Sequence, residues 1–376
     1  MHNSFYSLLL FSLITLPGCK QPAKEETGPF RAGFKIIRTA DRSRIYKPNT
    51  DTSNYLHYRP VDIDVWYPAQ ASTADTALLF GDLLGLLEKR ANYYTASKSA
   101  AGYTGQLARY LCEGFKCSDP ARLLSFRTSS YPDAKAADGK FPLLIYLCSY
   151  NGMCYENFSL FEDMAKKGFL VISVNSIGRY PGDMTMRNAD MMEQVNDALI
   201  SYKTVAQSAN IDLSKVGIIG YSWGGLSGAV LANKIPGTAC IVSLDGSEFH
   251  HYGEVHEEDI DFNGIVNNPD FKDRSLSMPY LRLESSPAAT IQKADSLYDF
   301  SKKLSGKKLI LKVKAAEHED FGCLSAVVRE SGGCKFDNKY ADIISLAESY
   351  LEDHIKGTNT FASLLKTQLN KTVSEK

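Results

Sequence analysis

A serine between two glycines is the feature of this sequence with the clearest chemical meaning. It lies in Gly220-Tyr221-Ser222-Trp223-Gly224, with apolar residues at 216–219 before it and at 226–232 after it. The first run predicts a strand and the second a helix. A serine on the sharp turn between them has its hydroxyl exposed above the sheet, and the glycines leave room for the bent backbone. We therefore predict that Ser222 is a nucleophile for acyl transfer.

A serine hydroxyl needs a base to remove its proton, so a histidine has to lie beside Ser222 in the fold. His318 is the candidate, because it follows the late apolar run 309–315 and comes after the serine in the chain. The alternative is a loop histidine bonded to Glu317 or Glu319. The other six histidines lie in the N-terminal segment, before an edge strand, in an acidic loop or in the last helix: His2, His57, His250, His251, His256 and His354.

A carboxylate has to orient that histidine. Asp245 ends the apolar run 239–244, the strand predicted directly after the helix of the serine. Glu284 follows the next apolar run, 279–283, and is the alternative acid, with Asp295 as a third choice. The order of serine, acid and histidine along the chain favours Asp245, although an aspartate at a strand end is also a common turn residue.

Alternating strands and helices must position these residues. Residues 33–37 and 61–67 alternate apolar and polar side chains, which predicts an antiparallel pair at a sheet edge. From residue 141 onwards, continuous apolar runs typical of strands covered on both faces alternate with helical periodicity. The predicted strands are 141–147, 168–174, 216–219, 239–244, 279–283 and 309–315, and the predicted helices are 158–167, 191–205, 226–232, 294–304 and 340–355. This order predicts an α/β protein with a mostly parallel, doubly wound sheet and reactive groups at the carboxyl ends of its strands.

Residues 71–138 have a different character, because leucines and tyrosines recur there at helical spacing. This pattern predicts an inserted helical cap over the site, with a plain packing subdomain as the alternative. Four of its tyrosines, with Trp66, could line an aromatic pocket, although core packing is the favoured interpretation. These tyrosines are Tyr93, Tyr94, Tyr103 and Tyr110.

The N-terminal residues predict export. The apolar run 5–16 is shorter than the roughly twenty residues that cross a bilayer and is typical of a signal peptide. Leu16-Pro17-Gly18-Cys19 resembles the lipobox of bacterial lipoproteins, where the chain is cut before a cysteine that carries a lipid. We expect a signal peptide at 1–18, lipidation of Cys19, a tether at 19–32 and a folded domain at 33–376. The protein would then be anchored to a membrane of the bacterial cell envelope, facing the periplasm or the cell surface.

Seven cysteines remain besides Cys19. In an oxidising envelope compartment, sequence neighbours are the expected disulfide partners, with Cys240 left as a buried thiol. The expected pairs are Cys112–Cys117, Cys148–Cys154 and Cys323–Cys334. None of these cysteines has the spacing of a zinc site.

An acidic, histidine-rich segment follows Asp245. It contains His250, His251, Glu254, His256, Glu257, Glu258, Asp259 and Asp261. Such side chains can bind calcium or zinc, but a solvated loop at the rim of a pocket is the favoured interpretation. We expect no metal and no cofactor.

The predicted strands and the residues around Ser222, Asp245 and His318 together resemble the alpha/beta-hydrolase superfamily. Within it, they are most similar to the platelet-activating factor acetylhydrolase and dienelactone hydrolase-like branch of bacterial esterases. The resemblance covers most of residues 33–67 and 141–355 and implies the alpha/beta-hydrolase fold. In the acetylhydrolases the acid follows the strand after the nucleophile helix in a Leu-Asp sequence like Leu244-Asp245, so the resemblance favours Asp245 over Glu284. It also implies hydrolysis of carboxylic esters with small acyl groups.

The chain departs from that family at the loop expected to stabilise the oxyanion. Family members usually carry His-Gly and a further glycine after the first parallel strand, whereas residues 148–154 are Cys-Ser-Tyr-Asn-Gly-Met-Cys. Any residue type can supply a backbone N–H donor. We expect one donor from Trp223 and the other from Tyr150 or Asn151, with a Cys148–Cys154 disulfide holding the loop.

The sequence therefore predicts a serine hydrolase that cleaves a small-molecule carboxylic ester through an acyl-enzyme intermediate. The alternatives are a serine peptidase or amidase of the same fold, a surface binding lipoprotein without catalysis, and a metal-dependent hydrolase. A net charge of −1 over 376 residues provides no global field to recruit nucleic acid. The expected partners are the ester substrate and the membrane that holds the lipid anchor, and no pattern indicates an oligomeric state.

Overall fold

The computed structural model describes residues 28–72, 75–95, 102–174, 184–253, 256–272, 275–286 and 296–376. The predicted signal peptide, Cys19, the first part of the predicted tether and Asp295 lie outside the described residues. Among the helices within these ranges, none is long and apolar enough to cross a membrane.

Twelve strands are present in the described residues. They are β1 (Arg31–Ile45), β2 (Tyr58–Ala69), β3 (Ser130–Pro132), β4 (Phe141–Leu147), β5 (Leu170–Val174), β6 (Ile211–Tyr221), β7 (Thr238–Leu244), β8 (His251–Tyr252), β9 (Tyr280–Glu284), β10 (Ser296–Leu297), β11 (Lys308–Val313) and β12 (Val373–Glu375). β8 pairs with β10, and the other ten form one sheet in the order β12-β11-β9-β7-β6-β4-β5-β2-β1-β3. All neighbours from β5 to β11 are parallel. The predicted mostly parallel α/β sheet is confirmed.

The outermost strands of this sheet differ from the prediction. β1 and β2 pair antiparallel as predicted, but β1 is not the outermost strand, because the three-residue β3 pairs parallel to its first part. At the other side, the three-residue β12 pairs antiparallel with β11. Both outermost strands of the described sheet are therefore short.

Helices cover both faces of the sheet. They are α1 (Phe80–Thr95), α2 (Tyr103–Phe115), α3 (Pro120–Leu124), α4 (Phe158–Lys166), α5 (Asn188–Val205), α6 (Trp223–Ala232), α7 (His256–Val266), α8 (Pro269–Lys272), α9 (Leu324–Gly332), α10 (Lys339–Lys356) and α11 (Phe361–Gln368). Successive side chains of a strand point to opposite faces, so Leu144 and Tyr146 of β4 belong to one apolar core and Leu143 and Ile145 to the other. α4 and α10 pack into the first core, and α5 and α6 into the second.

The inserted segment 71–138 contains helices α1, α2 and α3, which pack on one another and on α9. Their buried side chains, including Phe80, Leu111 and Leu123, belong to the same core as α4 and α10. Tyr94 is buried, whereas Tyr93, Tyr103 and Tyr110 are exposed. The described part of the insert therefore packs against one face of the sheet and is continuous with its core.

A buried ion pair joins the insert to the sheet. Arg90 of α1 donates from Nε to Asp62 and from Nη2 to Asp64, each at 2.9 Å. All three side chains are buried, and Asp64 also accepts a hydrogen bond from the hydroxyl of Tyr155 at 3.0 Å. A buried carboxylate is tolerated only when it is paired. Asp64 therefore depends on Arg90 of α1, and Asp62 on Arg90 together with Arg38 of β1.

The predicted cysteine pairs are wrong. Cys117, just after α2, forms a disulfide with Cys334, just after α9, and the sequence separation is 217 residues. The other described cysteines are free and buried: Cys112, Cys148, Cys154, Cys240 and Cys323. The thiol of Cys148 donates to the carbonyl of Val174, whereas Cys154 accepts from Arg90. Packing of α2 against α9 brings together two cysteines that are far apart in the chain.

The helix predicted at 294–304 is wrong in its described part. Ser296–Leu297 is a strand and Phe300–Lys303 is a short 3-10 helix. The carboxylate of Asp299 accepts from the backbone N–H of Ser301, which starts a tight turn instead of an α-helix. Phe300 is nevertheless buried in the core, so its apolar character reflects packing.

Candidate active site

Ser222 occupies the turn between β6 and α6. Its backbone has φ +54° and ψ −123°, a conformation that is costly for any residue other than glycine. Its N–H donates to the carbonyl of Leu244 at 3.0 Å, and its carbonyl accepts from the N–H of Ser247 at 2.9 Å. The surrounding backbone thus holds the strained residue from both sides, as expected for an exposed nucleophile on a strand-to-helix turn.

The glycines on either side of Ser222 are required by close packing. A Cβ on Gly220 would collide with the backbone of Gly224, and a Cβ on Gly224 would collide with the carbonyl of Leu147 at the end of β4. The sequence prediction that these glycines make room for the turn therefore has a specific steric reason. The second collision also shows that α6 begins directly against the loop that follows β4.

His318 begins a 3-10 helix, His318–Phe321, shortly after β11. Its Nε2 lies 3.0 Å from Oγ of Ser222. The ring stacks against Tyr221, with centroids 5.1 Å apart, and the Tyr221 hydroxyl donates to the His318 carbonyl at 3.0 Å. Tyr221 therefore supports both the ring and the backbone of the histidine, a role that the sequence pattern did not indicate.

Asp245 completes this arrangement from the end of β7. Its Oδ2 lies 2.8 Å from Nδ1 of His318, and its Oδ1 accepts from the backbone N–H of Ser285 at 2.8 Å. This contact keeps the proton of the imidazole on Nδ1, which leaves Nε2 free to accept a proton from Ser222.

The charges of Asp245 and His318 shift each other's pKa. Burial would raise the pKa of Asp245, but the hydrogen bond and charge of His318 lower it below the usual value. Burial would lower the pKa of His318, but the hydrogen bond and charge of Asp245 raise it above its usual value of 6.5. The pair is thus stabilised as carboxylate and imidazolium, the state that a proton transfer from Ser222 creates.

Glu284, the alternative acid, has different partners. Its Oε2 accepts from Nε of Arg282 at 3.1 Å, and its Oε1 lies 3.1 Å from Nζ of Lys376. Within the described residues it does not bond to His318. The structure therefore brings together Ser222, His318 and Asp245 among the predicted candidates, and places Glu284 in a neighbouring ion-pair cluster.

The predicted oxyanion donors belong to the first turn of α6 and to the loop after β4. Trp223 is the first residue of α6, so its N–H lacks an intrahelical acceptor. In the loop after β4, Ser149 donates its N–H to Glu156, and Gly152 donates to the carbonyl of Ser149. Between them, the backbone N–H groups of Tyr150 and Asn151 have no acceptor among the described residues. These two residues remain candidates for the second donor.

A pocket of about 310 Å³ opens beside Ser222. Its lining comes from Ser222 and His318, from the segment 245–251 after β7, from Glu258 of α7, from the end of β9 with Ser285, from Lys312 of β11 and from Lys376. None of its lining residues belongs to the described part of segment 71–138, so this part of the insert does not form the wall of the pocket. Arg282, Lys312 and Lys376 were not indicated by the sequence, because their approach to the site depends on the order of the strands.

The acidic, histidine-rich segment lines this pocket through His250, His251 and Glu258. The prediction of a loop is wrong from His256 onwards, because residues 256–266 form helix α7. His250 is buried, with Nε2 2.7 Å from Asp259 and Nδ1 3.3 Å from Glu258. Burial would lower the pKa of His250, but these carboxylates raise it above its usual value. Glu254 lies outside the described residues, and in the rest of the described chain no three metal-ligating side chains are grouped around a possible ion site.

Comparison with known proteins shows which families and structures this chain is similar to. A family model described as X-Pro dipeptidyl-peptidase (S15 family) matches residues 89–303, more than half of the chain. The structure is similar to that of a ferulic acid esterase from Streptomyces cinnamoneus, with a TM-score of 0.57, 18% identity, and coverage of 90% of this chain and 92% of that chain. At this identity the likeness shows the fold alone, and the predicted alpha/beta-hydrolase fold is confirmed. No curated protein sequence matches the chain.

Proposed function

Because this chain belongs to the X-Pro dipeptidyl-peptidase (S15) family and is therefore a hydrolase, we propose that it cleaves carboxylic esters with short acyl groups. The observation that carries this proposal is the position of His318, with Nε2 3.0 Å from Ser222 Oγ and Nδ1 2.8 Å from Asp245. These are the distances at which a histidine can take a proton from a serine while a carboxylate orients it.

The proposed reaction uses side chains and backbone groups of this chain only. Ser222 Oγ attacks the ester carbonyl carbon while its proton passes to His318 Nε2. Asp245 stabilises the imidazolium, and the N–H groups of Trp223 and of Tyr150 or Asn151 bind the oxyanion. The alcohol leaves with the proton from His318. Water, activated by the same histidine, then attacks the acyl-enzyme, which releases the carboxylic acid and regenerates Ser222.

The pocket supports a short acyl group. Its volume of about 310 Å³ is at the lower end of the range for small-molecule sites. The acetylhydrolase-like resemblance of the sequence points in the same direction. We therefore expect activity on p-nitrophenyl esters to be highest for acetate and butyrate and to fall steeply towards decanoate.

Dipeptide release from X-Pro peptides is the second candidate, because the family description names it. Such an enzyme needs an uncompensated negative group to bind the α-ammonium of the peptide. Near this pocket, Glu258 is paired with His250, and Glu284 with Arg282 and Lys376. Since Glu284 is already paired with two cations and Glu258 is bonded to His250, these contacts support a neutral ester more than an N-terminal amine.

A fluorophosphonate probe and two substrate types test the proposal. We expect the probe to label wild type and not Ser222→Ala, and ester hydrolysis to fall by at least about 10⁴-fold in that variant. Alanyl-proline p-nitroanilide tests the second candidate: faster cleavage of this amide than of any ester would favour the peptidase. An unlabelled wild-type protein with no activity on either substrate would leave the non-catalytic binding protein as the explanation.

We also propose that the protein is a lipoprotein of the bacterial cell envelope, anchored through Cys19. The support is the short apolar segment at 5–16 and the lipobox-like sequence Leu16-Pro17-Gly18-Cys19. The lipid would hold the hydrolase near the membrane, facing the periplasm or the cell surface, while the substrate reaches the open pocket from solution.

A further inference from the structure

A buried glutamate lies behind the loop that we propose as the source of the second oxyanion donor. Glu156 is 4% exposed and lies two residues after the end of this loop, residues 148–154. Within the described residues, its carboxylate bonds to none of the three proposed catalytic side chains. Its function, if any, must therefore pass through the groups that it holds.

Three donors converge on this carboxylate. Oε1 accepts from the backbone N–H of Ser149 at 2.8 Å and from the hydroxyl of Tyr146 at 2.9 Å. Oε2 accepts from Oγ of Ser149 at 2.6 Å. Hydrogen bonds to a buried charged acceptor are strong, so Ser149 is fixed through both its backbone and its side chain. The next two N–H groups are the candidate oxyanion donors.

Glu156 and Asn157 are also hydrogen-bonded to the segment that carries His318. The carbonyl of Glu156 accepts from the N–H of Cys323 at 2.8 Å. Nδ2 of Asn157 donates to the Tyr146 hydroxyl at 2.8 Å and to the carbonyl of Phe321 at 3.1 Å. Phe321 is the last residue of the 3-10 helix that begins at His318. One hydrogen-bonded unit thus joins the oxyanion loop to the base.

Glu156 also contributes to the electrostatics of the site. Burial raises its pKa to about 7, although hydrogen bonds from Ser149 and Tyr146 and the charge of His318 lower it. The ionisable groups that face it are Tyr146 and Cys148 at the end of β4, Tyr221 of β6 and His318. A negative charge on Glu156 raises the pKa of His318.

We propose that Glu156 is a positioning residue, which holds the loop with the second oxyanion donor in a fixed place relative to Ser222 and His318. This inference rests on the proposed ester hydrolysis. The oxyanion forms only after Ser222 attacks the carbonyl. The hydrogen bonds of the Glu156 carboxylate should therefore stabilise the transition state and have little effect on substrate binding.

Two substitutions separate the contacts of Glu156 from its charge. Glu156→Ala removes all three hydrogen bonds, and a misplaced donor is expected to lower kcat by about 10- to 100-fold while KM changes less than about twofold. Glu156→Gln can keep the three contacts, because its amide can donate to Ser149 Oγ. We expect kcat of Glu156→Gln within about threefold of wild type, with the acid limb of its pH–kcat/KM profile moved to lower pH.

Glu162→Ala is the matched control. Glu162 is a buried glutamate of α4 that accepts hydrogen bonds from Ser129 and Ser130, away from the pocket. We expect this variant to lose stability and keep kcat. If Glu156→Ala does not fold, Ser149→Ala tests the same contact, because it removes one donor at a half-buried position and should lower kcat several-fold.

The outcomes are distinguishable. Folded Glu156→Ala or Ser149→Ala with wild-type kcat would overturn the positioning role and leave the esterase intact. An equal loss in Glu156→Gln and Glu156→Ala would overturn it as well, since charge and not contact would then govern kcat. A wild-type protein that the fluorophosphonate does not label would overturn both this inference and the proposed function.

Discussion

At the residue scale, the carboxylate of Asp245 has a defined orientation. One oxygen is bonded to the backbone of Ser285 and the other to His318, so the side chain cannot rotate without losing a contact. Asp245→Asn should place an amide nitrogen or a weaker acceptor against Nδ1 and favour the wrong tautomer. We expect kcat for p-nitrophenyl acetate to fall by about 10⁴-fold.

Glu284→Gln is the control for Asp245→Asn. Glu284 lies in the same pocket but is bonded to Arg282 and Lys376. We expect this variant to keep kcat within about tenfold of wild type. A loss in Glu284→Gln as large as that in Asp245→Asn would contradict the assignment of the acid.

The protonation of His318 determines the pH dependence of the reaction. The imidazole accepts the Ser222 proton only when it is neutral, and Asp245 raises its pKa above 6.5. As pH falls through this raised value the base becomes protonated, so kcat/KM should decline on the acid side with a midpoint above pH 6.5. Rates of ester hydrolysis between pH 5 and 9 measure this limb, and a midpoint below pH 6 would show that another group controls the rate.

The sequence could predict which residues of the site carry reactive groups, but not the groups that support them. Ser222 and His318 follow from a local turn pattern and from chain order, and the structure places both beside Asp245. Glu156 and Tyr221 act through contacts between β4, β6 and the segment after β11, which no local spacing encodes. The choice between Asp245 and Glu284 likewise depends on which strand end faces the histidine.

At the scale of elements, the disulfide holds the insert against the rest of the protein. Cys117 follows α2 and Cys334 follows α9, and neither lines the pocket. Replacing both with serine should lower the free energy of unfolding by about 2–5 kcal/mol without changing kcat/KM. Urea unfolding with and without reductant measures the effect, since only wild type should respond to the reductant.

Thiol titration gives an independent check of this pairing. Residues 20–376 contain seven cysteines, of which one pair is bonded and five are free. Unfolded, unreduced protein should therefore contain five reactive thiols. A single reactive thiol would instead support the three pairs of sequence neighbours.

The ion pair between α1 and β2 has a measurable effect on stability. Arg90→Met leaves the buried Asp64 without a cationic partner and Asp62 with only the half-exposed Arg38 at 3.5 Å, and should cost about 3–5 kcal/mol. Changing both aspartates to leucine in the same protein should recover most of the loss. Arg122→Met is the control, because its pair with Asp119 is exposed and should change stability by less than about 1 kcal/mol in urea unfolding.

Periodicity predicted the elements that bury a continuous apolar surface. Strands β4, β5 and β7 were found this way because both their faces are covered. The helix predicted at 294–304 was wrong because an aspartate turn competes with helical spacing there. Helical spacing at 71–138 predicted helices but not where they pack. An apolar helix face can pack against the sheet or cover a substrate pocket, and the spacing is the same in both cases.

At the scale of the whole molecule, the proposed anchor should decide where the enzyme is found. With a net charge of −1, the chain has little electrostatic attraction to anionic lipid, so membrane binding should depend on acyl chains at Cys19. In Triton X-114 phase separation, protein made from the full sequence in a bacterium should enter the detergent phase. Residues 20–376, which lack both the apolar run and Cys19, should enter the aqueous phase with unchanged kcat/KM, and their retention in detergent would contradict the anchor.

If the protein is anchored at high density on a membrane, as proposed, the short outermost strands have a consequence for its association. Open strand edges on neighbouring molecules can pair and begin aggregation, and lipid anchoring would concentrate those molecules in two dimensions. Here one outermost strand is Ser130–Pro132, whose proline has no N–H to donate, and the other is Val373–Glu375. Beyond β3, the uncovered part of β1 carries Lys35 and Arg42. Like charges on adjacent copies would repel, so the sheet is protected against edge-to-edge association at high surface density.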